Sequence, residues 1–324
     1  MTAWARIVRE IEADKRSGAT ALLRRAASAL RLAADDLPSA GDRWPEALAH
    51  ATDAVATVRP AFAGLRRLAG AVQDAVDPDA APDEAARRVR LAVDAFVAAL
   101  DADADRIVAR AAQLLAREAR QAPPETSDDA HGLRVLTISA SSLVERTLQR
   151  AAVGLPLRVT CLESRPLLEG AALARRLAEG GMQVVLTLDA LGPSLVAEAS
   201  MVLVGGDTLA PEGLLHKAGT YGLTLAARRA GVPVYALVGP EKLLPSLPEG
   251  ALDDSGAPGE LVADDFLAGA APGLEIRVPY FDLTPLALLT GVVMPDGIVR
   301  PDDAARLAAS VRPYPATGGP TGGR

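Results

Sequence analysis

Aromatic residues make up only 3% of the 324-residue chain, and cysteine occurs once, at Cys161. One cysteine excludes an internal disulfide and any cysteine-built zinc or iron–sulfur centre. The three histidines, His50, His131 and His216, lie far apart in sequence, which argues against a histidine-rich metal centre. Neither a metal nor a cofactor is expected. No apolar run approaches the roughly 18 residues of a membrane helix. The opening MTAWARIVREIEADKR alternates apolar and charged residues and lacks the unbroken core of a signal peptide. Basic residues are outnumbered, 34 Lys and Arg against 41 Asp and Glu, for a net charge of −7 and a pI near 5.2. That excludes a broad basic face for nucleic acid or anionic lipid, but not one small basic pocket. The expectation is a cytoplasmic protein with no nucleic-acid or membrane partner.

What is abundant is small and aliphatic: 49% of residues are hydrophobic, mostly Ala, Leu and Val. The first third reads as helices. Trp4, Ile7, Val8 and Ile11 recur at helical spacing, then Leu22, Leu23, Ala26 and Leu30 after Ser17-Gly18. Pro45 and Pro60 open further helices, and a long periodic stretch runs from Pro82 to about Ala119. QAPPETSDDAHG, residues 121–132, reads as a linker rich in proline and acid. Beyond it come short apolar runs separated by helical stretches: LRVLTI (133–138), LRVTCL (157–162), QVVLTL (183–188), SMVLVG (200–205) and PVYALV (233–238). Strands alternating with helices indicate βαβ units and a parallel sheet buried on both faces. The fold class is therefore α/β: an N-terminal helical domain, residues 1–125, followed by a Rossmann-like parallel-sheet domain, residues 126–324. The Pro/Gly-rich tail is expected to be disordered from about residue 312.

In such a sheet, ligands bind beyond the carboxyl ends of the strands. The polar residues placed there are Ser139, Ser141 and Ser142; Glu163, Ser164 and Arg165; Asp189; and Gly205, Gly206 and Asp207. Any one of these serves equally well as a helix cap or turn residue. Pro166 is expected to hold Arg165 extended, with its guanidinium over the sheet edge, where it suits a phosphate or carboxylate. HKAGTYG, residues 216–222, opens a predicted helix whose free N–H groups, with Lys217, form an anion site.

Several of these segments together resemble one superfamily: LTISASSLVERTL, LESRPLLEGAALARRLAEGG, MVLVGGDTLAPEGLLHKAGTYGL and FDLTPLALLTGVV. It joins the translation initiation factor 2B alpha, beta and delta subunits, methylthioribose-1-phosphate isomerase and ribose-1,5-bisphosphate isomerase. DKRSGATALLRRA (14–26) resembles that family's phosphate-binding segment, and VRPAFAGL (58–65) its R-P-T-x-x-x-L segment. The resemblance implies a helical domain before a Rossmann-like one, a ligand between them, and a homodimer formed through the C-terminal domain. It implies phosphate or sugar contacts from Arg16, Ser17, Gly18, Arg59, Ser164, Arg165 and Lys217. The family's isomerases convert an aldose 1-phosphate to a ketose with a cysteine in T-H-C and an aspartate in G-A-D. Here the aspartate is kept as Asp207, but Ser139 stands in the cysteine's place. Cys161 lies within the second apolar run and reads as a small buried hydrophobe.

A thiol exchanges protons near neutral pH far more readily than an unassisted serine hydroxyl. The retained cations and lost thiol favour a protein that binds a phosphorylated sugar or nucleotide without efficient turnover. The alternative is an active sugar-phosphate isomerase using Asp207 with Ser139 or His216, although His216 also reads as a solvent-facing loop residue. A third reading is a subunit of a guanine-nucleotide exchange complex for a translation factor.

Overall fold

The computed structural model describes residues 1–121, 132–269, 271 and 273–314. It opens with five helices: α1 (Ala3–Ala13), α2 (Ala19–Ala40), α3 (Trp44–Thr57), α4 (Ala63–Asp74) and α5 (Pro82–Gln121). Pro45 sits in the first turn of α3 as expected, whereas α4 starts at Ala63, three residues beyond Pro60. The buried stripe of α2 (Leu22, Ala26, Leu30, Ala33, Leu37) alternates bulky and small residues at helical spacing. Small side chains let helix axes approach closely, which is how a core so poor in aromatic rings closes. The 40-residue α5 serves two cores. Val89, Val93 and Leu100 pack among the N-terminal helices, while Ile107, Val108, Leu114 and Leu115 pack against the sheet.

The remaining elements are β1 (Leu133–Thr137), α6 (Ser142–Ala152), β2 (Leu157–Leu162), α7 (Glu169–Glu179), β3 (Gln183–Thr187), α8 (Gly192–Leu195) and β4 (Met201–Val204). They continue with β5 (Thr208–Ala210), β6 (Gly213–Lys217), α9 (Thr220–Ala230), β7 (Val234–Leu237), α10 (Asp264–Ala268), β8 (Phe281–Thr284), β9 (Gly291–Met294), β10 (Gly297–Val299) and α11 (Pro301–Ala309). All five apolar runs form strands of one seven-stranded sheet, ordered β10-β9-β7-β4-β1-β2-β3. Its pairings are parallel except β9 with β10. Successive strand residues face opposite layers: Val135, Val159 and Leu203 join the α5–α6–α7 side, while Leu136, Val202 and Val204 join the α9–α11 side. Both faces are thus covered, as continuous apolar strands require.

Two expectations need correction. Residues 208–217 are a hairpin that joins β8 in a second, antiparallel sheet ordered β5-β6-β8. And the chain is not free from residue 312. Arg312 pairs with Asp74 at 2.8 Å, and the Tyr314 hydroxyl donates to Asp53 at 2.6 Å, fastening the segment to the N-terminal helices. Residues 122–131 of the expected linker, and residues 315–324, lie outside the described residues. Among the described residues no helix is long and apolar enough to cross a membrane.

Candidate functional site

The chain leaves β1 toward β2 and β3 on one side, then returns as β4 on the other side of β1. Such a switch point opens a crevice at the carboxyl ends of the two diverging strands. Here the ends are Ser139, after β1, and Gly205-Gly206-Asp207, after β4. The crevice is tight: a Cβ on Gly205 would lie 2.7 Å from Ser141 Cβ and 3.3 Å from His216 Nε2. It opens into a cavity of about 430 Å³ between the N-terminal helices and the sheet. Arg16, Ser17, Gly18 and Arg59 line it from one side, and Ser139, Asp207, His216 and Lys217 from the other. The sparse aromatic residues gather here too, with Phe62 edge-on to Phe281 at 5.7 Å and Tyr280 beside them.

Ser164 and Arg165 do not line the cavity. Ser164 is a buried brace: its hydroxyl accepts the Ser139 N–H at 2.7 Å and donates to the Leu162 carbonyl at 3.1 Å. Asp189 takes the Ser164 and Arg165 amides at 2.7 and 2.6 Å, so it too is a structural clamp. Contrary to the expected extended course, residues 165–168 form turns and Arg165 is exposed. The glycine of the E-S-R-P-x-x-x-G segment has a packing role, since a Cβ on Gly170 would lie 1.8 Å from the Leu162 carbonyl oxygen.

The expected anion site at residues 216–222 is also corrected. His216 and Lys217 end β6, and α9 begins at Thr220. The Gly219 and Tyr221 amides at its start both donate to Asp282, at 2.7 and 3.0 Å, so an internal carboxylate occupies that helix terminus. Lys217 is buried, with its ammonium 3.0 Å from both Glu169 oxygens. Arg59 is buried against Asp254, 2.6 Å away, and donates to the Asp14 carbonyl at 2.7 Å. Lys15 reaches the same Asp254 at 3.1 Å. Two of the expected pocket cations thus carry internal counter-ions. Among the described residues the Arg16 side chain has none, and it stands beside the start of α2, where Gly18 occupies the cap position without a side-chain acceptor. Ala19 and Thr20, at the start of that helix, line the cavity, and the first amides of a helix suit an anion.

Burial is the main cause that pushes the Asp207 carboxyl up to about 6, with Glu169 adding to it. Lys242, Lys217 and Arg59 pull the other way. Its backbone is fixed from two sides: the N–H donates to Leu215, and the carbonyl accepts from Ala63 at the start of α4. His216 is buried on β6 rather than exposed on a loop. Burial first, then the positive charges of Lys242 and Lys217, lower its pKa to about 3, so the ring is neutral at pH 7. Its Nδ1 lies 3.0 Å from Thr220 Oγ1, whose single proton goes to the Lys217 carbonyl at 2.6 Å. The Nδ1 therefore carries the ring proton, and Nε2 is left as an acceptor toward the crevice. Burial pushes the Cys161 thiol up to about 12, which leaves it inert in the core.

Lys242 is one of the charged cavity residues that sequence reasoning missed, with Lys15, Glu145, Glu169 and Arg176. It follows β7, the fifth apolar run, at the same strand edge as the other candidates. Extending the strand-end rule to that run would have found it.

Residues 15–301 match the Initiation factor 2 subunit family. The chain belongs to this family. It is 34% identical to a methylthioribose-1-phosphate isomerase of Cronobacter sakazakii over 65% of this chain and 67% of that one. It is 31% identical to a probable bifunctional methylthioribose-1-phosphate isomerase/methylthioribulose-1-phosphate dehydratase of Nocardia farcinica. That match covers 83% of this chain but only 52% of the relative. The translation initiation factor eIF-2B of Pyrococcus horikoshii superposes with a TM-score of 0.75 at 25% identity, covering 93% of this chain and 98% of its own. The family relationship agrees with the resemblance seen in the sequence, and the helical region followed by a mostly parallel sheet is the shared fold.

Proposed function

We propose that the cavity binds a phosphorylated aldose and that Asp207 moves protons on it, as in a sugar-phosphate isomerase. The observation that carries this reading is the Asp207 carboxyl, held near pKa 6 on the cavity wall at the switch point. A carboxylate in an anion-binding pocket weakens phosphate binding, so a pure anion receptor gains nothing from it. A group titrating near neutral pH is suited to giving and taking protons. The phosphate is assigned to Arg16 and the free amides at the start of α2, and the sugar to Asp207, His216 and Lys217. As the ring C–O bond opens, the ring oxygen takes a proton. Asp207 removes the C2 proton and returns it to C1, while the C2 hydroxyl loses its proton to become the ketone. Neutral His216 accepts a hydrogen bond from a sugar hydroxyl and is too weak a base to do more.

A second reading, binding without turnover, is favoured by one observation: the Ser139 hydroxyl has no hydrogen-bonded base among the described residues. Calorimetric titration with 5-methylthioribose 1-phosphate and with ribose 1-phosphate tests what both readings share. Saturable binding is expected, and no binding at millimolar concentration would overturn both.

We also infer a homodimer formed through the sheet region. Edge strand β3 exposes Leu186, and Leu188 and Leu191 beyond it are exposed as well. An uncovered apolar edge of this kind is normally protected by association.

A further inference from the structure

The charges around Asp207 are not equivalent. Glu169 faces it from α7, His216 and Lys217 from β6, Arg59 from the segment before α4, and Lys242 from the segment after β7. Glu169 and Lys217 are engaged with each other, and Arg59 is engaged with Asp254. His216 is neutral at pH 7. Lys242 differs from the other two cations. It is buried, its ammonium donates to the Gly206 carbonyl, and it makes no ion pair among the described residues. A buried ammonium with one carbonyl acceptor and no counter-ion is unfavourable unless a nearby negative charge compensates it. Two carboxylates without an ion pair among the described residues stand near it: its neighbour Glu241, whose carboxyl burial pushes up and Lys242 pulls down, and Asp207, one residue beyond the carbonyl that Lys242 holds. Of the two, Asp207 lines the cavity with Lys242.

The backbone geometry has the same consequence. Lys242 takes the Gly206 carbonyl, Leu215 the Asp207 amide, and Ala63 the Asp207 carbonyl. Lys242 is itself anchored, because its amide donates to Gly239 and the Leu244 amide donates to Leu209 on β5.

We propose that Lys242 is the positioning residue for Asp207, fixing the Gly206–Asp207 peptide and supplying the carboxylate's counter-charge. Removing the cation disfavours the ionised carboxylate, so Asp207 then holds its proton to higher pH. The consequence for turnover rests on the sugar-phosphate reading above, because that reaction needs the carboxylate as a base.

The test needs no sugar. Carboxyl ¹³C NMR follows the Asp207 titration, with its resonance identified by its loss in Asp207→Asn. Lys242→Met removes the charge and the hydrogen bond, while Lys242→Gln removes the charge but keeps a donor. The Asp207 midpoint is expected to rise by about one pH unit or more in both, and Lys242→Arg should return it toward the wild-type value. If Lys242→Met does not fold, Lys242→Gln and Lys242→Arg make the same comparison. An unchanged midpoint in folded Lys242→Gln would overturn the proposal. Because the readout is the proton itself, absence of sugar binding would sink the functional reading and leave this result standing.

Discussion

The Ser139 amide donates to the Ser164 hydroxyl at 2.7 Å, tying the end of β1 to the end of β2. Ser139 is held there in the left-handed region, at φ 70°, which is uncommon for a residue other than glycine. The backbone brace is independent of the residue 139 side chain, so that side chain can be exchanged without rebuilding the loop. Ser139→Cys places a thiol at the cavity wall, at the position where the resemblance to the family's isomerases implies one. The variant is expected to raise solvent proton exchange or turnover on a bound sugar phosphate by about tenfold or more. Equal rates in the two proteins would show that the hydroxyl is not what limits the chemistry.

Asp207 exerts a cost on folding that depends on pH. Its folded carboxyl titrates near 6 against an ordinary value of 3.8, so the folded state holds this proton more tightly than the unfolded one. The penalty is therefore full above pH 6, shrinks as pH falls, and is gone below about 3.8. Asp207→Asn should stabilise the protein at pH 8 by up to about 3 kcal/mol and lose that advantage at pH 4. Thermal melts of the two proteins at both pH values check the sign.

Arg59→Met leaves the buried Asp254 carboxylate with Lys15 as its one charged partner among the described residues. Breaking a buried pair from one side costs about 3–5 kcal/mol. Urea denaturation should register a loss of that order, whereas Lys15→Met, at a more exposed position, should cost less. Similar losses in the two variants would contradict the buried-pair account.

Leu188→Glu puts a charge on the exposed apolar edge beyond β3. Sedimentation should show a dimer for the wild type and a monomer for the variant, with the melting temperature of the sheet region preserved at high protein dilution. A wild-type monomer at micromolar concentration would refute association through this edge.

Much of the fold was legible because the relevant signals are local. Five apolar runs became five sheet strands, and helical spacing located α1, α2 and α5. The β5–β6 hairpin was not, because its strand residues are all buried and carry no alternation to distinguish strand from loop. The rule that ligands gather at strand ends correctly grouped Ser139 with Asp207, although 68 positions of sequence separate them. It failed for Ser164 and Asp189, which sit at the same edge but satisfy backbone amides. The internal counter-ions were invisible: Asp254 reaches Arg59 across 195 residues, and Asp282 reaches Gly219 across 63. Only tertiary contact distinguishes a cation free to meet a ligand from one already neutralised.

Solvent deuterium incorporation into 5-methylthioribose 1-phosphate, compared between the wild type and Asp207→Asn, bears most directly on the central claim that Asp207 moves protons on a bound sugar phosphate. Label is expected in the wild-type product and should fall about 10²–10⁴-fold in the variant, with binding of the sugar phosphate retained. Bound sugar that acquires no deuterium from the wild type, or an Asp207→Asn variant that exchanges at the wild-type rate, would contradict it.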